Sequence, residues 1–146
     1  MSATDAFETA LLTLYFNNTD HANVGDAAGL QNSVAAGSFY VSLHTADPGE
    51  TGTQTTSEAT YTGYARKAVA RSAAGWTITA NNVSNAAAIA FDPCTAGSNV
   101  ITHFGIGSDA TLAGNLFFYG ALTASRTISA GITPSFAIGE LDVNLT

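Results

Sequence analysis

After residue 38 the chain consists of short segments of alternating apolar and polar residues, separated by Gly, Asn and Pro. Phe39, Val41 and Leu43 alternate with polar neighbours, and the same period of two recurs at Trp76 and Ile78. A period of two places alternate side chains on opposite faces of a β-strand. The pattern therefore predicts a mainly β fold, an antiparallel β-sandwich (jelly-roll-like) of about eight strands.

The remaining strand candidates show the same alternation or short apolar runs. They are Val100, Thr102, Phe104 and Ile106, expected on one face, residues 141–145, and the stretches YARKAVAR, AAAIAFD, NLFFYGAL, TISA and ITPSFAI.

The N-terminal residues repeat apolar side chains at intervals of three and four, which predicts one α-helix from Asp5 to Phe16. Asp5 is the predicted N-cap, with Glu8 completing a capping box. The predicted apolar face comprises Ala6, Phe7, Ala10, Leu11, Leu14 and Tyr15.

An apolar helix face must pack on its own core or on another subunit. Phe7, Leu11 and Leu14 are therefore predicted interface residues. The predicted organisation is a helix with a connecting arm over residues 1–30, followed by a single β-sandwich domain over residues 31–146.

Charge limits the classes of partner. Eleven acidic and four basic residues give a net charge of −7, which argues against nucleic acid because phosphate binding needs a cationic field. Only 10% of the residues are charged, against roughly a quarter in ordinary soluble domains. Such a surface suits a protein packed against copies of itself or of a neighbour, and it also suits a secreted or particle-borne β protein; we expect a homo-oligomer.

Neither export nor membrane insertion is expected. The apolar stretches are interrupted well before the ~18 residues that a membrane helix requires. Asp5 and Glu8 stand where a signal peptide would carry basic residues. The single cysteine, Cys94, is interpreted as a small buried hydrophobe.

Asp47, Pro48 and Gly49 predict a type II turn that ends the strand beginning at Phe39. Residues 50–61 follow as a long polar loop, which we expect to reach outward and to become ordered mainly in an assembly. Its predicted interface residues are Glu50, Thr53, Gln54, Thr56 and Tyr61.

Four aromatic side chains could stack on sugar rings: Tyr61, Tyr64, Trp76 and Tyr119. Trp and Tyr at strand positions, however, more often belong to a core or a subunit interface. Tyr64 and Lys67 complete the predicted interface set. Lys67 stands where an apolar residue is expected, which indicates an exposed or interface position.

Catalytic chemistry is poorly supported. Ser42, His44 and Asp47 suggest a triad, but no nucleophile elbow accompanies them, and the alternative is that His44 closes a strand end. His21 and His103 have no metal-ligand spacing with His44. We therefore predict no enzyme activity, no cofactor and no metal, although a cation in an oligomer interface stays open.

The segments FYVSLHTADPGETGTQTTSEATYTGYARKAVAR, GWTIT, HFGIG and NLFFYGALT, together with LLTLYFNN and ANVGDAAG, carry a resemblance over nearly the whole chain. VSLHTADPG is the most specific piece. The sequence resembles a family of small virion proteins of tailed bacteriophages and prophages, usually called tail-fibre-like or structural proteins.

The resemblance implies a virion protein made in the host bacterial cytoplasm and, from what phage surface proteins commonly do, a trimer. It supplies no catalytic motif. Two hypotheses follow. The first, which small size and the lack of a fibrous shaft favour, is a capsid decoration (cement) protein bound to the major capsid protein or other virion proteins. The second is a tail-fibre or head-fibre module that binds a host receptor such as a surface glycan.

Overall fold

The computed structural model describes residues 3–145, which contain one helix and nine strands. They are α1 (Asp5–Asn17), β1 (Ser38–His44), β2 (Lys67–Ala70), β3 (Trp76–Thr79), β4 (Asn82–Asn85), β5 (Ile89–Ala90), β6 (Ser98–Gly107), β7 (Leu116–Ser129), β8 (Ser135–Phe136) and β9 (Asp142–Asn144).

The strands form three sheets, with the orders β2-β1-β6-β7, β3-β4-β9 and β5-β8. The β1–β6, β6–β7, β3–β4 and β4–β9 pairs are antiparallel. The predicted class, mainly β with antiparallel sheets and an N-terminal helix, is thereby confirmed.

The chain divides into two compact units. The first comprises residues 1–38, 70–89 and 136–146, and the second comprises residues 39–69 and 90–135. The predicted boundary after residue 30 stays a prediction.

In the first unit, the N-cap of α1 lies one residue before Asp5, the predicted cap. Thr4 is the N-cap, with an extended backbone (φ −93°, ψ 151°) and a hydroxyl that accepts from the Phe7 N–H at 3.4 Å. Asp5 and Glu8 lie within the first turn, where their charge favours the positive end of the helix dipole. Asn18 ends the helix in the left-handed conformation, with φ 53°.

The buried face of α1 is not the one predicted. Leu12 and Phe16, together with Glu8, are buried, whereas Phe7 remains 49% exposed. The Phe16 ring meets Trp76 of β3 edge to face, with 5.0 Å between ring centroids. Apolar residues surround more than half of the helix, so only the position of Trp76 selects which of them become buried.

In the β3–β4 hairpin, the sequence pattern predicted β3 but not β4. The β4 sequence Asn-Val-Ser-Asn lacks a strong strand pattern. Asn85 explains why this polar strand is stable. Its side chain is 1% exposed, donates to the carbonyls of Ala87 and Ala137, and accepts from the Leu141 N–H. A buried amide with these contacts ties β4 to the segment before β9.

In the second unit, β6 pairs with both β1 and β7 at the centre of the four-stranded sheet. A register shift between Ile101 and His103 places Ile101 inside (1% exposed) and leaves Val100 half exposed (50%). The expectation that Val100 shares a face with Phe104 is therefore wrong. A bulge reverses the alternation, which a period of two cannot anticipate.

The predicted strands NLFFYGAL and TISA belong to one long strand, β7. The apolar core of this unit consists of Phe39, Val41, Leu43, Ala59, Tyr61, Phe91, Cys94, Ile101, Phe104, Ile106 and Ile128.

Candidate functional site

Asp47 and Gly49 show two features of the turn predicted after β1. Gly49 has φ 71°, which the third position of a type II turn requires, and the Asp47 carboxylate accepts from the Gly49 N–H at 2.8 Å. The Asp47 side chain is therefore engaged in the turn, three residues away from His44 along the chain.

The polar segment that follows folds back along β1 rather than reaching outward. The Thr45 N–H donates to the Ser57 carbonyl at 2.7 Å, and the Ala59 N–H donates to the Leu43 carbonyl at 2.8 Å. These bonds pair the C-terminal end of β1 with residues 57–59. Backbone groups at a buried strand end need such partners, and the segment supplies them.

Gln54 lies inside the second unit, with a fully buried side chain (0% exposed). Its backbone N–H donates to the Ala113 carbonyl, and its side-chain carbonyl accepts from the Asp109 N–H, both at 2.9 Å. Its amide nitrogen is 3.4 Å from the Tyr40 carbonyl. Gln54, a predicted interface residue, therefore fixes the loop between β6 and β7 to β1.

Arg66 forms a buried, two-pronged ion pair with Glu58. Its Nε lies 2.7 Å from Glu58 Oε1, and its Nη2 lies 2.8 Å from Glu58 Oε2. The guanidinium also donates to the carbonyls of Asp109 and Leu112, at 2.9 and 2.8 Å. The hydrogen bonds that Arg66 donates to Glu58 raise the pKa of Arg66 further, so its charge is permanent. No sequence pattern pairs Arg66 with Glu58, eight residues earlier in the chain.

Both predicted tyrosines serve internal contacts. The Tyr64 hydroxyl donates to Glu58 at 2.9 Å and accepts from the Leu43 N–H at 3.0 Å, and burial raises its pKa. Tyr61 is 3% exposed and donates to the Asp92 carbonyl at 3.1 Å; burial raises its pKa to about 12. Tyr61 is thus a core residue, and both hydroxyls stay protonated at neutral pH.

Ser42 and His44 form a hydrogen-bonded pair, with 2.8 Å between Ser42 Oγ and His44 Nε2. His44 Nδ1 lies 2.8 Å from the Thr56 carbonyl, so Nδ1 carries the proton and Nε2 accepts from the serine. A hydrolase triad has a carboxylate where this pair has a carbonyl. Both side chains are 0% exposed, so the pair fastens the polar segment to β1 and offers no path for a substrate.

The buried His44 predicts a pH dependence of stability. Burial lowers the pKa of His44, so the unfolded chain binds this proton more readily than the folded protein as pH falls below about 6.5. The contribution is fully present above the unfolded pKa and is lost on acidification. Urea unfolding should therefore show a steeper loss of stability from about pH 7.5 to about pH 5.5 in the natural protein than in His44→Gln. Equal slopes in the two proteins would contradict this assignment.

The other predicted interface residues lie nearer the surface. Glu50 and Phe7 are exposed, and Leu11, Leu14, Thr53, Thr56 and Lys67 are half-buried. The Thr53 N–H donates to the Thr56 hydroxyl at 3.0 Å. Lys67 forms an ion pair with Asp92 at 2.8 Å. Their role in an interface stays a prediction.

The loop at residues 108–115, which connects β6 to β7, was not singled out from the sequence. Leu112 at its tip is 82% exposed and has φ 64°. Gly114 has φ 54°, and a Cβ there would lie 2.3 Å from Gln54 Oε1. The positive φ at a leucine carries no sequence signal, because that conformation is normally left to Gly or Asn.

Residues 3–145 include no helix with the length and apolarity needed to span a membrane. Within the same residues, no group of three or more His, Cys, Asp or Glu side chains is placed to hold a metal ion.

Residues 2–144 match the family described as Podophage GP4 fiber I protein gp80. The chain belongs to that family. The fiber I family is a family of phage fibre proteins, so this protein has a structural role in a phage virion, as the sequence resemblance implied. No curated protein matches this fiber I family member.

Proposed function

We propose that this fiber I family member is a structural module of a virion fibre, held in the particle by contacts with copies of itself and with neighbouring virion proteins. The observation that carries the proposal is the exposure of large apolar side chains on a surface with little charge. Val34 is fully exposed, Leu112 is 82% exposed and Val100 is 50% exposed. The core of a protein–protein interface is depleted in charged residues, so a surface with few charges and exposed apolar side chains suits contacts with other proteins.

A capsid decoration protein is the second candidate function. The only helix among residues 3–145 has 13 residues, and the described chain forms two compact units, with no long helical shaft. Compact units suit attachment to a shell as well as to a fibre, with the major capsid protein as the partner.

Deletion of the gene from the phage distinguishes the two candidates. Loss of a fibre module should reduce adsorption to the host and leave the heat stability of the capsid unchanged. Loss of a decoration protein should leave adsorption intact and make the filled capsid less stable. Mass spectrometry of purified particles must find the protein in either case, and its absence would contradict both.

The same particles test the role of the helix. A protein lacking residues 1–18 loses Phe16, which packs on Trp76, so it should unfold more readily and should not be incorporated. A milder variant, Phe7→Ser, removes an exposed ring and should affect only incorporation. Normal incorporation of the Phe7→Ser particle protein would remove this residue from the proposed interface.

A further inference from the structure

The loop at residues 108–115 places a leucine in a conformation that leucine does not favour. Leu112 has φ 64° and is 82% exposed. The left-handed region crowds the Cβ of a bulky residue against its own backbone, so Gly or Asn would fit the position better. Strained, solvent-exposed residues of this kind concentrate at binding sites, where the conformation is used for recognition.

Buried polar groups hold the loop in this conformation. The Arg66 guanidinium, itself paired with Glu58, donates to the carbonyls of Asp109 and Leu112. Gln54, which is fully buried, bonds to Asp109 and Ala113. Because the loop is tied on both sides of Leu112, little conformational entropy remains to be lost when a partner covers the leucine.

Two exposed aromatic side chains follow in the first residues of β7. Phe117 and Tyr119 are 38% and 37% exposed. We use the term hairpin tip for Leu112, Phe117 and Tyr119. The β6–β7 register is interrupted around Phe117 and again over residues 122–125, so a continuous strand pairing at this edge is disfavoured. A contact here must be made by side chains.

The distribution of charge along the chain indicates which partner the hairpin tip contacts. The chain carries a net charge of −7, so copies of it repel one another over most of the surface. Residues 110–125, which include the whole hairpin tip, contain no charged residue. Two like-charged copies can therefore approach through these residues with only the exposed Asp109 carboxylate of each copy close to the contact.

We propose that the hairpin tip is the surface through which copies of this chain associate, with Leu112 as the anchor inserted into the neighbouring copy. This contact rests on the self-assembly part of the proposed function. Leucine offers no hydrogen bond to a sugar hydroxyl, so the tip suits a protein surface better than a glycan.

Leu112→Gly in the full chain gives the sharpest test, because its two expected effects have opposite directions. Glycine accepts φ 64° without crowding, so the thermal midpoint should be unchanged or higher. Loss of the anchor should weaken self-association by about tenfold or more, measured as the dissociation constant by sedimentation velocity. A second variant, Tyr119→Lys, should weaken association without a large change in the thermal midpoint.

Ile138→Gly is the matched control, since Ile138 is 70% exposed and lies in the other unit. It should leave the dissociation constant unchanged. A natural protein that is monomeric at every concentration, or a Leu112→Gly variant that associates normally, would overturn the proposal, as would an equal effect of the control. If particles still contain the protein in those cases, the hairpin-tip contact fails while the virion role stands.

Discussion

Replacing Arg66 by Ala is expected to lower the free energy of unfolding by about 3–5 kcal/mol, because it leaves the Glu58 carboxylate buried without its counter-charge. The Arg66 and Glu58 side chains are 3% and 14% exposed, so water cannot easily compensate. The carbonyls of Asp109 and Leu112 lose their donors in the same variant. The loop that carries Leu112 should loosen as well.

The neighbouring ion pair provides the control. Lys67 and Asp92 are 27% and 51% exposed, and removal of an exposed pair costs about 1 kcal/mol or less, so Lys67→Ala should be nearly neutral. Chemical denaturation of both variants measures the difference. The double variant Arg66→Met with Glu58→Met should recover part of the loss, since it removes both charges together. Equal losses of unfolding free energy in Arg66→Ala and Lys67→Ala would show that the buried ion pair stabilises the fold no more than the exposed one.

Gly105→Ala is expected to destabilise the protein by about 3 kcal/mol, through overpacking and the loss of a buried hydrogen bond. A Cβ at this position would lie 2.7 Å from each of three atoms: His44 Nε2, Ser42 Oγ and Leu116 Cδ1. Real Cβ atoms do not approach so closely, so Ser42, His44 and Leu116 must shift, which disturbs the serine–histidine hydrogen bond. Glycine is therefore required at position 105, because Ser42, His44 and Leu116 leave no room for a Cβ atom.

Gly97→Ala is the comparison. Gly97 has open space around its missing Cβ, and only its φ of 77° opposes a side chain, at a cost of about 1–2 kcal/mol. Thermal unfolding of the two variants should rank Gly105→Ala as clearly less stable. In Gly105→Ala the pH dependence assigned to His44 should also weaken, because its hydrogen bonds are disturbed. A Gly105→Ala protein as stable as the natural one would show that the sheet moves to accept the methyl group.

The helix and several strands could be predicted because their signals are local. The i, i+3, i+4 spacing predicted both ends of α1 (Asp5–Asn17) to within one residue. The alternation at Phe39, Val41 and Leu43 predicted β1. Asp47 and Gly49 were predicted to lie in a turn after β1, and they show the expected side-chain acceptor and positive φ.

The interface residues were harder to place. Gln54 and Tyr61 belong to a segment, residues 50–61, whose composition is that of a polar surface loop. Both side chains are nevertheless buried in the described structure. A glutamine becomes a core residue only when backbone groups from distant segments converge on it, as those of Asp109 and Tyr40 do here. No pattern within the loop itself carries that information.

The sequence alone determined the mainly β class, the helix, the turn after β1 and the low charge of the surface, because these depend on residues close together in the chain or on composition. Only the tertiary structure decided that Glu58 meets Arg66, that His44 faces Ser42 beneath the polar segment, and that Leu112 stands exposed on a fixed loop. Arg66 lies 43 and 46 residues before the two carbonyls that it holds. Contacts of that separation arise from sheet register and packing, which local propensity does not encode.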